Sequence, residues 1–121
     1  MIDAFKAQVN FIGKQLLHLH CGDGALTIQF AMAGASIVDG VDSDVKAAIG
    51  RTIEFPNVHF FPSTSVADFL RECGTYDVVV SPPTDHRTMQ LIAGTIDGPM
   101  DVATVVIDGK VFVVCSKRGH A

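Results

Sequence analysis

The chain has no tryptophan, a single tyrosine and only 18% charged residues. Its basic residues never gather beyond the pair Lys117-Arg118. A duplex-binding surface usually shows a basic stripe, so a nucleic-acid substrate is possible but draws no support from charge. Acidic residues outnumber basic ones by 13 to 9, which gives a net charge of −4 and a pI near 5.6. Long apolar runs are missing as well. None approaches the roughly 20 residues that a membrane helix needs, and no membrane partner is expected. Cysteine is sparse: Cys21, Cys73 and Cys115 are odd in number and lack metal-type spacing. Residues 1–14 contain neither a basic nor an apolar leader segment. Reduced thiols and a cytoplasmic location are the expectation.

What is present is apolar: 48% of 121 residues, with a mean hydropathy of +0.34. That length bounds one domain, 1–121, with room for a core. The thin polar surface predicts that a homo-oligomer or a larger protein partner covers some of the apolar excess.

Apolar residues Ile2, Phe5, Val9 and Phe11 suit a short amphipathic helix over 2–11, ended by Gly13. Strands are expected over 15–20, 36–41, 58–61 and 76–80, the second buried on both faces. Helices are expected over 25–33, 45–52, 66–72 and 85–93, the second capped by Ser43 or Asp44 and the third by Ser65. Two β-branched runs, 102–107 and 110–115, flank Asp108-Gly109, a strong hairpin signal. Alternating strands and helices predict an α/β three-layer sandwich, with a doubly wound, mostly parallel sheet and a C-terminal β-hairpin.

In such a sheet ligands bind beyond the carboxyl ends of the strands. Several polar segments fall there: His20 to Gly24, Asp42, Ser63 to Ser65, and Ser81-Pro82-Pro83. The first is an apolar run that enters a glycine turn and then a helix, an order that sets a helix N-terminus against a ligand. An acid ending the second strand, Asp42, is placed to accept hydrogen bonds from a ribose. Each has a plainer reading: a turn that only needs tight geometry, and a helix cap beside Asp44.

The order Leu-x-Leu-x-Cys-Gly-Asp-Gly-Ala-Leu-Thr, Gly-Ala-Ser-Ile-Val-Asp-Gly-Val-Asp, Asn-Val-His-Phe and Tyr-Asp-Val-Val-Val-Ser-Pro-Pro resembles the class I S-adenosylmethionine-dependent methyltransferases. The resemblance covers residues 15–83 and continues loosely to 114. It implies a shortened Rossmann-like methyltransferase fold, with S-adenosylmethionine as cofactor. By resemblance His20, Gly22, Asp23 and Gly24 form the cofactor turn, Asp42 binds the ribose, and Ser63 and Thr64 lie near the adenine. Ser81 and Pro82 then present the methyl acceptor, with His86 as a further substrate-side residue. A non-catalytic domain of the same fold, serving as a dimerisation or partner-binding module, is the alternative.

The chain departs from the family pattern at several points. The family's acid near the end of the first strand aligns with His18, its first glycine with His20, and the aromatic after the two prolines with Thr84. The family also places a fifth strand and a helix before its antiparallel pair, whereas here only a hairpin follows. His18 and His20 stand two apart, so a strand would turn both to one face, where they would supply two metal ligands without an identifiable third. No metal site is assigned. Cys21 reads as a small packing residue.

Overall fold

The computed structural model describes residues 1–118, except the side chains of residues 52 and 53. Six strands form one sheet: β1 (Gln15–Leu19), β2 (Ile37–Asp42), β3 (Val58–Pro62), β4 (Val78–Ser81), β5 (Met100–Ile107) and β6 (Lys110–Lys117). Their order across the sheet is β3-β2-β1-β4-β6-β5. The first four are parallel, because a helical crossover joins each to the next. β6 runs antiparallel to both β4 and β5, since only a two-residue turn joins it to β5.

The helices are α1 (Ile2–Lys6), α2 (Ala25–Met32), α3 (Lys46–Ile49), α4 (Val66–Glu72) and α5 (His86–Thr95), with a 3₁₀ turn over Gly50–Glu54. They divide between two faces, which makes the expected three-layer α/β sandwich. On one face Phe5 of α1 and Leu26 and Phe30 of α2 pack on Leu16, Val38, Val58, Val80 and Val114. The Phe5 and Phe30 rings meet edge to face, with centroids 5.2 Å apart. On the other face Leu70 of α4 and Ile92 of α5 pack on Leu17, Leu19, Val41 and Val79. Burying each such side chain contributes about 1.5–3 kcal/mol. Val78, Val79 and Val80 alternate between the two layers, so this central strand reads as an unbroken apolar run.

Several element bounds differ from the sequence reading. Helix α1 ends at Lys6, and Asn10 takes the Ile12 N–H on its side-chain oxygen in a local turn, although Phe11 still reaches the core. The helix expected over 45–52 is one α turn that tightens into the 3₁₀ segment. β2 is buried on both faces, Val38 in one layer and Val41 in the other, except at its start, where Ile37 is exposed and Asp39 is partly so. The Asp39 carboxylate accepts the Tyr76 hydroxyl at 2.7 Å and lies 3.3 Å from His59 Nδ1, so the polar position is tied into the fold. The Ser65 hydroxyl does cap α4, accepting the Asp68 N–H. The antiparallel pair follows α5 directly and bonds to β4, with no further strand between them.

Candidate functional site

β1 stops at Leu19, one residue earlier than expected, and the chain turns sharply. His20, Gly22 and Gly24 have positive φ, 57°, 60° and 81°. The Cys21 N–H donates to the Val41 carbonyl at 3.1 Å, continuing the ladder to β2, and the Gly24 N–H closes the turn on the Cys21 carbonyl. Asp23 Oδ1 accepts the Ala25 N–H at 3.0 Å, at the first turn of α2. The two glycines serve different ends. A Cβ on Gly22 would meet nothing within 4 Å, so only the backbone conformation calls for glycine and the space above is open. A Cβ on Gly24 would lie 2.6 Å from the Phe60 ring of β3, so packing calls for glycine there as well.

Asp42 latches this turn from the end of β2. Its Oδ2 accepts the Gly22 N–H at 2.9 Å, and its Oδ1 accepts the Ser43 N–H at 2.7 Å. Partial burial pushes the Asp42 carboxyl upward, but the hydrogen bonds from Gly22, Ser43 and Asp44 outweigh it and hold the pKa below its ordinary value. The N-terminal bond of α3 goes instead to Asp44, whose Oδ1 accepts the Lys46 N–H. The sequence left Asp42 between ribose acceptor and helix cap; its bonds run to the glycine turn and to Ser43.

Beneath the turn His18 is buried, with Nδ1 2.8 Å from the Thr27 hydroxyl and its ring edge-on to Phe30. Desolvation lowers its pKa to about 4 despite the attraction of Asp42, so the ring is neutral at pH 7. His20 lies outside the strand, so strand alternation does not relate the two rings. Both nonetheless line one cleft of about 500 Å³. Its walls are the turn, with Cys21, Gly22 and Asp23, and the β5–β6 end, with Asp108, Lys110 and Phe112. Cys21 is buried, and burial followed by the nearby Asp42 charge raises its thiol to about 11. It stays protonated and packs, as the sequence suggests. A larger groove of about 600 Å³, lined by Lys14, Asp77 and Lys117, lies at the opposite end of the strands. The glycine turn is absent from that groove and lines the smaller cleft, which is the candidate. Asp42 lines neither and reaches the cleft only through its bond to the Gly22 N–H.

The structure brings His20, Gly22, Asp23, Gly24 and Asp42 together. Ser63 joins them through the backbone, its N–H donating to the Asp42 carbonyl at 2.9 Å, while its hydroxyl donates to the Ser65 carbonyl. Thr64 is exposed beside it. The β4 residues stand apart. Ser81 is buried, and its hydroxyl donates to the Pro82 carbonyl at 2.7 Å. His86 is exposed on the first turn of α5, where Nε2 lies 3.1 Å from Gln90 Nε2. Of the expected site residues only His20, Gly22 and Asp23 line the cleft; Gly24, Asp42, Ser63, Thr64, Ser81, Pro82 and His86 do not.

Two contributors lie outside the residues that the sequence singles out. Arg51 reaches back from the 3₁₀ segment, Nε donating to the Asp23 carbonyl at 2.8 Å and the guanidinium 3.6 Å from the Asp23 carboxylate. Gly40, in mid-β2, leaves room for Phe60 and Cys21: a Cβ there would lie 2.7 Å from the Phe60 ring and 3.1 Å from Cys21 Sγ. A glycine inside a strand is itself a sign of close approach.

No family model and no curated protein matches the sequence. Solved structures do. YhhF of Escherichia coli, a proposed methyltransferase, is similar at a TM-score of 0.69 and 16% identity, over 98% of this chain and 83% of that one. A ribosomal protein L11 methylase from Lactobacillus delbrueckii is similar at 0.59 and 14%, over 98% and 77%. The magnesium protoporphyrin IX methyltransferase of Synechocystis, solved with bound S-adenosylmethionine, is similar at 0.58 and 16%, over 97% and 76%. The chain therefore has the class I methyltransferase-like fold. The acceptors named for two of these proteins, a ribosomal protein and a porphyrin, share no chemistry, so fold alone does not choose an acceptor.

Proposed function

We propose that the chain binds S-adenosylmethionine, or S-adenosylhomocysteine, at the carboxyl ends of β1 and β2 and acts as a methyltransferase. One observation carries this reading: the bond from the Gly22 N–H to Asp42 Oδ2, which fixes an acid at the end of β2 against a positive-φ turn that opens into a helix.

The residues present fit such a group. The space above Gly22 is open to a ligand, and about 500 Å³ lies within the range of small-molecule sites. Asp42 keeps lone pairs for ribose hydroxyls, and Ser63 and Thr64 offer polar groups for the adenine. Around the cleft, Lys110 complements a carboxylate, while Asp23 and Asp108 complement an ammonium or sulfonium. When bound, the cofactor supplies a methyl group activated on a sulfonium. The chain's own contribution is to bind, orient and exclude water, because methyl transfer depends on in-line geometry more than on acid–base help. Ser81, Pro82 and His86 are assigned to the acceptor side. The three unpaired thiols fit a reducing compartment, and the cytoplasm is the location that goes with this reading.

Titration calorimetry with S-adenosylmethionine and S-adenosylhomocysteine tests the proposal. Saturable binding with a submillimolar Kd is expected, weakened at least tenfold by Asp42→Ala. No heat at millimolar ligand would overturn it and leave a non-catalytic domain of the same fold.

A further inference from the structure

Strand β5 forms the outer edge of the sheet on the hairpin side. Natural edges are usually blunted by lysine, proline, bulges or very short length. The opposite edge, β3, carries proline at Pro62 and an ion-paired histidine at His59. β5 has none of these devices: its eight residues, Met-Asp-Val-Ala-Thr-Val-Val-Ile, pair with β6 without interruption. The only charge among them, Asp101, is held 3.0 Å from Arg118 Nε.

The hairpin turn fixes which groups point outward. Asp108 and Gly109 both have positive φ, 52° and 76°, the signature of a type I′ turn, so Ile107 and Lys110 form the bonded pair that closes it. Alternation along the ladder then turns the N–H and C=O groups of Val102, Thr104 and Val106 away from β6. No backbone partner meets them among the described residues. The side chains of the same three residues share a face with Val111, Val113 and Cys115. Beyond Cys115 the α4–α5 layer leaves this face uncovered: Val102 is 55% exposed and Val106 61%.

We propose that β5 pairs antiparallel with β5 of a second copy, about a two-fold axis at Thr104. The sequence matches itself in this register. Val102 lies opposite the partner's Val106, and Thr104 opposite the partner's Thr104, where two hydroxyls can bond. Asp101 faces the partner's Ile107, so no like charges meet. Every outward N–H and C=O of Val102, Thr104 and Val106 gains a partner, the valines join across the axis, and two sheets become one. This isologous edge pairing needs no new conformation. It is independent of cofactor binding.

Sedimentation velocity on the full chain should show a concentration-dependent dimer with a micromolar Kd, as suits a small interface. Thr104→Pro removes an outward N–H that the monomer does not use, and Thr104→Lys sets two ammonium groups face to face. Each should raise the dimer Kd at least tenfold while the circular dichroism spectrum is retained. Cysteine cross-linking in a Cys73→Ser background reads the register. Thr104→Cys should cross-link, because Cα atoms in a bonded pair are about 5.5 Å apart. Val102→Cys alone should not, whereas Val102→Cys combined with Val106→Cys should. A monomer at millimolar protein, a dimer untouched by both Thr104 substitutions, or equal cross-linking by Val102→Cys alone would each overturn the proposal.

Discussion

The turn after β1 and the turn after β5 face each other across one cleft, and both depend on left-handed residues. They are held in different ways. Asp108-Gly109 is closed by the strands on either side of it, through a pairing that runs without a break from Ile107 and Lys110. The turn at 20–24 is closed by residues from far along the chain: Val41 and Asp42 from β2, Arg51 from the 3₁₀ segment, and Phe60 from β3. A local turn reads the same in any context. A turn assembled at long range is shaped by its surroundings, and such a turn can hold a backbone N–H and an acid in a fixed relation for a ligand.

Substitution at the glycines should separate the two most sharply. Gly24→Ala combines a left-handed alanine, about 1–2 kcal/mol, with overpacking against Phe60, about 1–3 kcal/mol. Gly22→Ala and Gly109→Ala carry only the first term, because a Cβ at either meets nothing within 4 Å. Urea unfolding should therefore rank Gly24→Ala well below the other two. Equal losses at all three would mean that Phe60 does not shape the first turn.

The next effect is pH dependence, and it belongs to the first turn because His18 lies beneath it. Its pKa is about 4 in the folded chain against 6.5 when unfolded. The unfolded state therefore binds the proton first, and stability is full above pH 6.5 and falls as pH drops towards 4. The slope is about 1.4 kcal/mol per pH unit within that window. Asp42 acts lower: its depressed pKa contributes stability above the ordinary carboxylate range, lost as pH falls through its folded value. Thermal melts between pH 7 and 4 should lose this slope in His18→Gln; a slope that persists would assign it elsewhere.

The smallest effect compares the non-glycine residues with positive φ, His20 and Asp108. Imidazole is the costlier occupant, since a short Asp side chain bonds locally in this conformation. His20→Gly relieves about 1–2 kcal/mol of backbone cost and restores about 0.5–1 kcal/mol of unfolded-chain entropy. A small rise in Tm is expected. Tighter S-adenosylmethionine binding should accompany it, because the exposed ring lines the cleft. A loss of affinity would show that the imidazole contacts the ligand.

Much of the fold was legible in the chain. The triple valine of β4, the Ser65 cap, the Asp108-Gly109 hairpin and the alternation of strands with helices all express local chemistry or periodicity, and each stands as expected. The site was half legible. Asp42 and the glycines stand out because an acid and left-handed residues at strand ends are unusual. Arg51 and Gly40 did not, because their importance lies in what approaches them from other elements. Asp39 was hidden in an apolar run, since only packing brought Tyr76 and His59 to its carboxylate.

By itself, then, the sequence determined the α/β order, the sheet's apolar centre and the positive-φ turn after β1, all set by backbone preference and hydrophobic period. Tertiary structure decided the rest. It turned Asp42 onto the Gly22 N–H, buried His18 as a neutral ring, turned Ser81 onto Pro82, and left β5 at an open edge. These outcomes depend on which strands become neighbours, and strand neighbours are chosen by the packing of the whole domain.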